Sequence, residues 1–141
     1  MKNLLVEIVS PSGKVFTGEA TGVKAPGVKG SFEVLRNHAP MIAAFSVGSL
    51  RVTSPSGNQI HFVTSGGFLE VMNNTVSVLA ESAELPSDID VERAKRSEER
   101  AKAMLAESGD AVDRERAQAA LDRARNRLRA SMSLVGEEQE F

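Results

Sequence analysis

The stretch Glu84-Leu85-Pro86-Ser87-Asp88-Ile89-Asp90-Val91-Glu92-Arg93-Ala94 separates two halves of unlike character. Before it, 85 residues carry only six basic and six acidic side chains, with nine of the 11 glycines and four of the five prolines. From Pro86 onward, 56 residues carry 11 basic and 13 acidic side chains and are rich in alanine. The shift predicts an α+β chain of two domains. Residues 1–85 form a β-sandwich or flattened barrel, and 86–141 an antiparallel two-helix hairpin.

Working back from Pro86, short β-branched runs alternate with turn residues, the pattern of an all-β domain. Strands are expected at Leu4 to Val9, Lys14 to Thr17, Thr21 to Ala25, Phe32 to Leu35 and Met41 to Phe45. Others follow at Leu50 to Thr53, Gln59 to Thr64, Phe68 to Met72 and Val76 to Ala80, the last two joined by Asn73-Asn74. Asparagine tolerates the positive φ of a tight hairpin turn. A closed sandwich buries such strands and limits free edges. Its expected core is Val6, Ile8, Val15, Val23, Val34, Ile42, Val52, Ile60, Phe62, Leu69, Val71, Val76 and Val78.

Working forward, Pro86-Ser87-Asp88 offers caps for a helix starting near Ile89 or Asp90. Gly109 in Ser108-Gly109-Asp110 is expected to stop it, and Asp110 to cap a second helix running back along the first. Gly136 and Glu137-Glu138-Gln139-Glu140 are expected to fray. At about 100° per residue, Val91, Ala94, Ala101 and Leu105 share one stripe, and Ala117, Leu121, Ala124, Leu128 and Val135 another. Alanine dominates this seam. A buried CH₂ contributes only about 0.8 kcal/mol, while ordering a backbone residue costs roughly 1–2 kcal/mol. A hairpin so weakly held is expected to shift with ligand or partner.

Beside the seam, Arg116, Arg123 and Arg127 form a row on the second helix, and Asp90, Arg93 and Arg100 flank the first. Converging guanidinium groups suit phosphate oxygens. The same row also fits a solvated face laced with i,i+4 pairs such as Glu92 with Arg96, with Arg125 and Arg129 facing solvent on the far side.

Several classes are disfavoured. A net charge of -2 argues against a nucleic-acid partner held by overall field. With no cysteine and only His38 and His61, thiolate chemistry, Cys-ligated metals and sites with three histidines drop out. Tyr and Trp, common anchors of sugar and single-strand nucleic-acid sites, are absent. The start Met1-Lys2-Asn3-Leu4-Leu5-Val6-Glu7 turns acidic too soon for a signal-peptide core. No apolar run nears the roughly 20 residues that span a bilayer. A soluble, cytoplasmic chain is expected.

No catalytic constellation stands out. His38, in Arg36-Asn37-His38-Ala39-Pro40, has only Glu33 nearby as company for an acid/base or metal role, so a loop histidine bonded to local backbone is the favoured reading. His61, between Ile60 and Phe62, is expected to point out of the sandwich. Ser65-Gly66-Gly67 lacks nucleophile-elbow spacing, so its glycines mark a bend or a close approach of another chain. No phosphate-binding glycine loop is present.

Four segments in order resemble one family, the epsilon subunits of F-type ATP synthases. They are Glu7-Ile8-Val9-Ser10-Pro11-x-Gly13, Val34-Leu35-x-x-His38-Ala39-Pro40, Ser65-Gly66-Gly67-Phe68-Leu69-Glu70-Val71 and Val76-Ser77-Val78-Leu79-Ala80-Glu81. The resemblance implies a non-catalytic regulatory subunit of the central rotor, peripheral on the cytoplasmic face of the cell membrane and tied to it only through the complex. The sandwich would bind the gamma subunit and the c ring, with Ser31, Phe32 and His38 as interface residues. The hairpin would alternate between a compact form and an extended one that reaches the alpha/beta catalytic hexamer and inhibits ATP hydrolysis.

Some members bind ATP on the compact hairpin through Ile/Leu-Asp-x-x-Arg-Ala, matched here by Ile89, Asp90, Arg93 and Ala94. The resemblance adds Glu84 ahead of the motif and Arg123 and Arg127 on the second helix. It implies phosphate contacts for Arg93, Arg123 and Arg127, with or without Mg²⁺. Asp90 and Glu84 would meet adenine or ribose polar atoms or orient arginines. The alternative is the same subunit with a purely mechanical hairpin. One departure lies at Glu33, where the family usually has glycine.

Overall fold

The computed structural model describes residues 2–140, with side chains described for 2–132. The chain divides into two compact units, Met1–Leu85 and Pro86–Phe141.

The first unit packs two five-stranded sheets face to face. Its strands are β1 (Leu4–Ser10), β2 (Gly13–Ala20), β3 (Gly22–Ala25), β4 (Phe32–Leu35), β5 (Met41–Phe45), β6 (Gly48–Thr53), β7 (Gln59–Thr64), β8 (Gly67–Met72), β9 (Thr75–Ala80) and β10 (Ala83–Glu84). One sheet has the order β2-β1-β9-β8-β5 and the other β10-β7-β6-β3-β4. All nine expected strands are present; the added one is the short β10, antiparallel to β7. The β1–β9 pair is parallel, linking the first and last long strands of the unit.

Alternate side chains of these strands meet between the sheets, because side-chain direction reverses at every residue. Leu4, Val6 and Ile8 of β1, with Leu69, Val71, Val76 and Val78 of the same sheet, meet Val23, Val34, Leu50, Val52 and Phe62 of the other in one buried cluster. Ten of the expected core residues lie fully inside it, Val15 and Ile60 border it, and Ile42 does not belong to it. Ile42 is 74% exposed, opposite Glu70 on the outer face of the edge strand β5. Phe45, buried three residues on, sets the parity of that strand: once odd positions face inward, Ile42 must face out.

Turn chemistry matches the residues. Asn73 and Asn74 both have positive φ and close the two-residue β8–β9 hairpin. Gly66 and Gly67 are also left-handed, and a Cβ on Gly67 would collide with the Leu79 carbonyl of this same chain. That close approach is internal. Glu33 sits in β4 without positive φ, so no glycine is required there, and its carboxylate pairs with Arg51 at 3.6 Å. His61 is half-buried, on the same face as its cross-strand partner Arg51.

The second unit is a helical hairpin. A 3₁₀ turn, Pro86–Asp88, leads into α1 (Val91–Glu107), and α2 spans Ala111–Glu140. Asp110 caps α2 as its sequence predicts, its Oδ1 accepting the Asp113 N–H at 2.8 Å. The end of α1 differs from the expectation. Gly109 is not left-handed; extended Ser108 ends the helix, its Oγ donating to the Met104 carbonyl at 2.7 Å. A side-chain hydroxyl here satisfies a terminal carbonyl that a glycine cap would otherwise serve through backbone.

The seam is built from buried Ala94, Ala101, Ala117, Leu121 and Ala124, with Leu105 and Leu128 half-buried. Val91 leaves it, at 37% exposure. On the helical wheel Val91 lies about 60° from Ala94 and Glu98 only about 40°. Glu98 accordingly occupies that side and reaches Arg125 of α2 at 3.6 Å. Arg125 is exposed but paired, and Glu92 meets Lys95 at 3.8 Å in place of Arg96. Val135 and the Gly136–Glu140 segment lie outside the residues whose side chains are described.

Candidate functional site

The hairpin has two flanks of opposite chemistry. On one, Glu98 bridges Lys102 at 3.6 Å within α1 and Arg125 at 3.6 Å across to α2. Lys102 also meets Glu99 at 3.6 Å, so two carboxylates offset two cations and this network is neutralised. On the other, Arg100, Arg123 and Arg127 line one cleft with Ser97, Ala101, Met104 and Ala120. Among the described residues Arg100 and Arg123 have no ion-pair partner.

The local sequence explains the convergence. Taking Ala94 and Ala117 as zero, about 100° per residue puts Arg93, Ser97, Arg100 and Met104 on one flank of α1. It puts Ala120, Arg123 and Arg127 on one flank of α2. A seam made of alanine brings the helices close, so arginine stems from both sides can reach one cleft. The cleft measures about 180 Å³. That is below the roughly 300–1,000 Å³ of pockets that enclose a small molecule. Its size and its three guanidinium groups suit a small anion of phosphate size. A larger depression of about 810 Å³ near the helix–helix turn is lined by Leu105, Ala111, Arg114, Glu115, Gln118, Ala119 and Asp122. One arginine there faces two carboxylates, a poor setting for an anion.

The Ile89-Asp90-x-x-Arg93-Ala94 segment is the start of α1. Asp90 is the N-cap, with φ -81° and ψ 99°, and its Oδ1 accepts the Arg93 N–H at 3.0 Å. Ile89 and Ala94 are both buried, while the Arg93 side chain is exposed. Arg93 precedes Arg100 by seven residues, about 10.5 Å along the axis. A ligand touching both must be elongated along the helix. Glu84 belongs to the first unit, half-buried on β10 opposite Val63.

Of the residues picked from sequence, the structure joins Asp90 to Arg93 and Arg123 to Arg127. It adds Arg100, which the wheel had placed beside the seam but which the family motif does not contain. The signal was there in the seven-residue spacing from Arg93. No cluster of three or more potential metal-ligating side chains occurs among the described residues.

On the sandwich, Ser31 is exposed and Phe32 packs partly against the core. His38 is half-buried, with Nδ1 2.7 Å from the Ala39 carbonyl, a bond to local backbone. Glu33, its one possible acid/base companion, is engaged with Arg51. Among the described residues no helix is long and apolar enough to cross a membrane.

Residues 3–86 match the family model for the ATP synthase delta/epsilon chain β-sandwich domain, and 87–132 that for its long α-helix domain. The ATP synthase epsilon chain of Salinibacter ruber is 54% identical, over 96% of this chain and 97% of that one. The epsilon chain of Brevibacillus brevis is 40% identical, over 80% and 86%. Among solved structures, a chain of the Euglena gracilis mitochondrial ATP synthase (OSCP/F1/c-ring) aligns at TM-score 0.77 with 22% identity, over 92% of this chain and 81% of that one. A chain of the Tetrahymena thermophila mitochondrial ATP synthase central stalk and c-ring aligns at 0.61 with 14% identity, over 92% and 97%. At these identities the structural likeness is one of fold. With both domains matched in order, the chain belongs to the ATP synthase delta/epsilon family, as an epsilon chain.

Proposed function

We propose that this subunit is part of the rotor, holding the gamma subunit and c ring through its sandwich and restraining ATP hydrolysis through its hairpin, with ATP favouring the compact hairpin. The rotor placement draws support from family membership and from the central stalk and c-ring assemblies that hold chains of this fold. The observation that carries the nucleotide reading is the cleft in which Arg100 of α1 meets Arg123 and Arg127 of α2. An anion bound there ties the helices together. The alanine seam alone contributes little, so ligand binding weighs heavily: at a hundredfold excess over Kd it adds about 2.7 kcal/mol to the bound arrangement. Withdrawal of ATP then frees the hairpin to extend toward the alpha/beta hexamer.

Calorimetric titration of ATP into the isolated protein tests this, since the chain lacks Trp and Tyr as optical reporters. One-to-one binding weakened at least tenfold by Arg123→Ala and by Arg100→Ala is expected. Absence of binding at millimolar ATP would overturn the nucleotide reading and leave a mechanical hairpin. One observation favours that second reading: Ile89, Asp90 and Ala94 already have structural work in starting α1.

A further inference from the structure

We infer that Asn37 and Asn74 are positioning residues for the sandwich's partner. Their paired amides fix residues 36–40, the crossing between the two sheets, and so set how His38 is presented. This rests on the docking role proposed above for the sandwich, with His38 at its interface.

The chain passes from β4 in one sheet to β5 in the other through Arg36-Asn37-His38-Ala39-Pro40, a stretch with no strand or helix. Such a segment keeps one shape only if its backbone groups find partners. Within the crossing, the His38 N–H donates to the Leu35 carbonyl at 3.3 Å, and His38 Nδ1 lies 2.7 Å from the Ala39 carbonyl. Those bonds are local and leave the crossing free to turn as a unit. What ties it down comes from the other sheet. The Asn37 N–H donates to Asn74 Oδ1 at 2.6 Å, and Asn74 Nδ2 donates in return to Asn37 Oδ1 at 3.2 Å. Beside this pair, Arg36 Nη1 donates to Asn3 Oδ1 at 3.4 Å, just ahead of β1.

The residue types point the same way. Asn37 (φ 66°) and Asn74 (φ 57°) are both left-handed. Glycine takes that conformation at no steric cost, and Asn-Gly is a favoured pair for a two-residue hairpin turn. The β8–β9 turn has Asn73-Asn74 instead, with asparagine where the turn alone favours glycine. A glycine there would keep the turn and lose the side chain that reaches Asn37. Asn74 therefore answers to the crossing and not to its own turn. Beyond the pair the crossing is open, with Ala39 and Pro40 exposed and His38 half-buried. Holding an open loop in one conformation beforehand lowers the ordering cost of association, which accounts for the pair if a partner docks here.

The test compares the full chain with Asn74→Gly, Asn37→Gly, the double substitution and His38→Ala. Each is followed by amide exchange at residues 37 and 38, by urea unfolding, and by binding to the gamma and c-ring complex prepared without this subunit. Glycine fits both left-handed positions, so the urea midpoint should hold. Asn74→Gly removes both amide bonds; it should speed exchange about tenfold and weaken binding about fivefold, the scale of one or two hydrogen bonds. Asn37→Gly leaves its own N–H bonded to Asn74 and should change each by only about twofold. The double substitution should match Asn74→Gly, since a broken pair has nothing further to lose. His38→Ala should weaken binding and leave exchange at Asn37 unchanged.

Weaker binding in His38→Ala beside native affinity in Asn74→Gly would overturn the inference while leaving the docking role in place. A urea midpoint that falls together with affinity would also overturn it, because the pair would then serve stability. So would additive effects of the two glycines. If the native chain did not bind, or if neither His38→Ala nor Asn74→Gly changed binding, the docking role of this loop would fall and the positioning role with it.

Discussion

The sandwich and the hairpin are held by different means. In the sandwich, Leu, Ile, Val and Phe from two sheets are buried to within a few per cent, and six of the ten strands have a partner on each side. In the hairpin, four of the five fully buried seam residues among those described are alanines. Each large sandwich side chain removes roughly 1.5–3 kcal/mol worth of apolar surface from water, and an alanine methyl only about a third of that. The same chain thus combines a unit whose shape is set by its core with one whose helices lean on caps and ion pairs.

The sharpest challenge to this contrast is Leu69→Ala in β8. Leu69 is fully buried, so a loss of about 2–5 kcal/mol is expected in urea unfolding of the sandwich. A loss below about 1 kcal/mol would mean that the sandwich core is as loosely held as the hairpin. Next comes Asp110→Ala, which removes the α2 cap and should cost about 1 kcal/mol. That cost should register in amide exchange through residues 111–116 and leave the β-strand amides unchanged; spread into the strands would show that the units do not unfold separately. Smallest is Glu98→Gln, which breaks the pairs to Arg125 and Lys102 on the neutralised flank. A partly exposed network of this kind is worth about 0.2–1 kcal/mol. The difference from the native chain, measured by circular dichroism during thermal unfolding of the helices, should shrink at high salt. A salt-independent difference would assign Glu98 to packing.

Much of the fold was legible because local rules and tertiary demands agree. Asn73-Asn74 prescribes a tight hairpin turn, and Asp110 caps a helix whatever surrounds it. Ile42 failed because hydrophobicity does not decide which face of an edge strand turns inward; Phe45, with the larger ring, does. Val91 failed for a related reason. The wheel allowed it in the seam, but Glu98 lies nearer and has Arg125 to meet. The helix breaks at Ser108-Gly109-Asp110 as expected, yet it is the Ser108 hydroxyl, bonding back to Met104, that ends α1 in place of Gly109.

The candidate site was legible as a row of arginines and not as a cleft. Spacing placed Arg93, Arg100, Arg123 and Arg127 on particular flanks, since 100° per residue is a property of any helix. Which of them share a cavity depends on the register between two helices, and an alanine seam encodes register weakly because its side chains are nearly alike. By itself, then, the sequence determined nine of the strands, the two helices, the Asp110 cap and the family, all of which follow from local chemistry or from recurring motifs. Only the tertiary structure decided that Arg100 joins Arg123 and Arg127 and that Ile42 lies outside the core. Both depend on which surfaces meet, and that is settled by packing between segments distant in the chain.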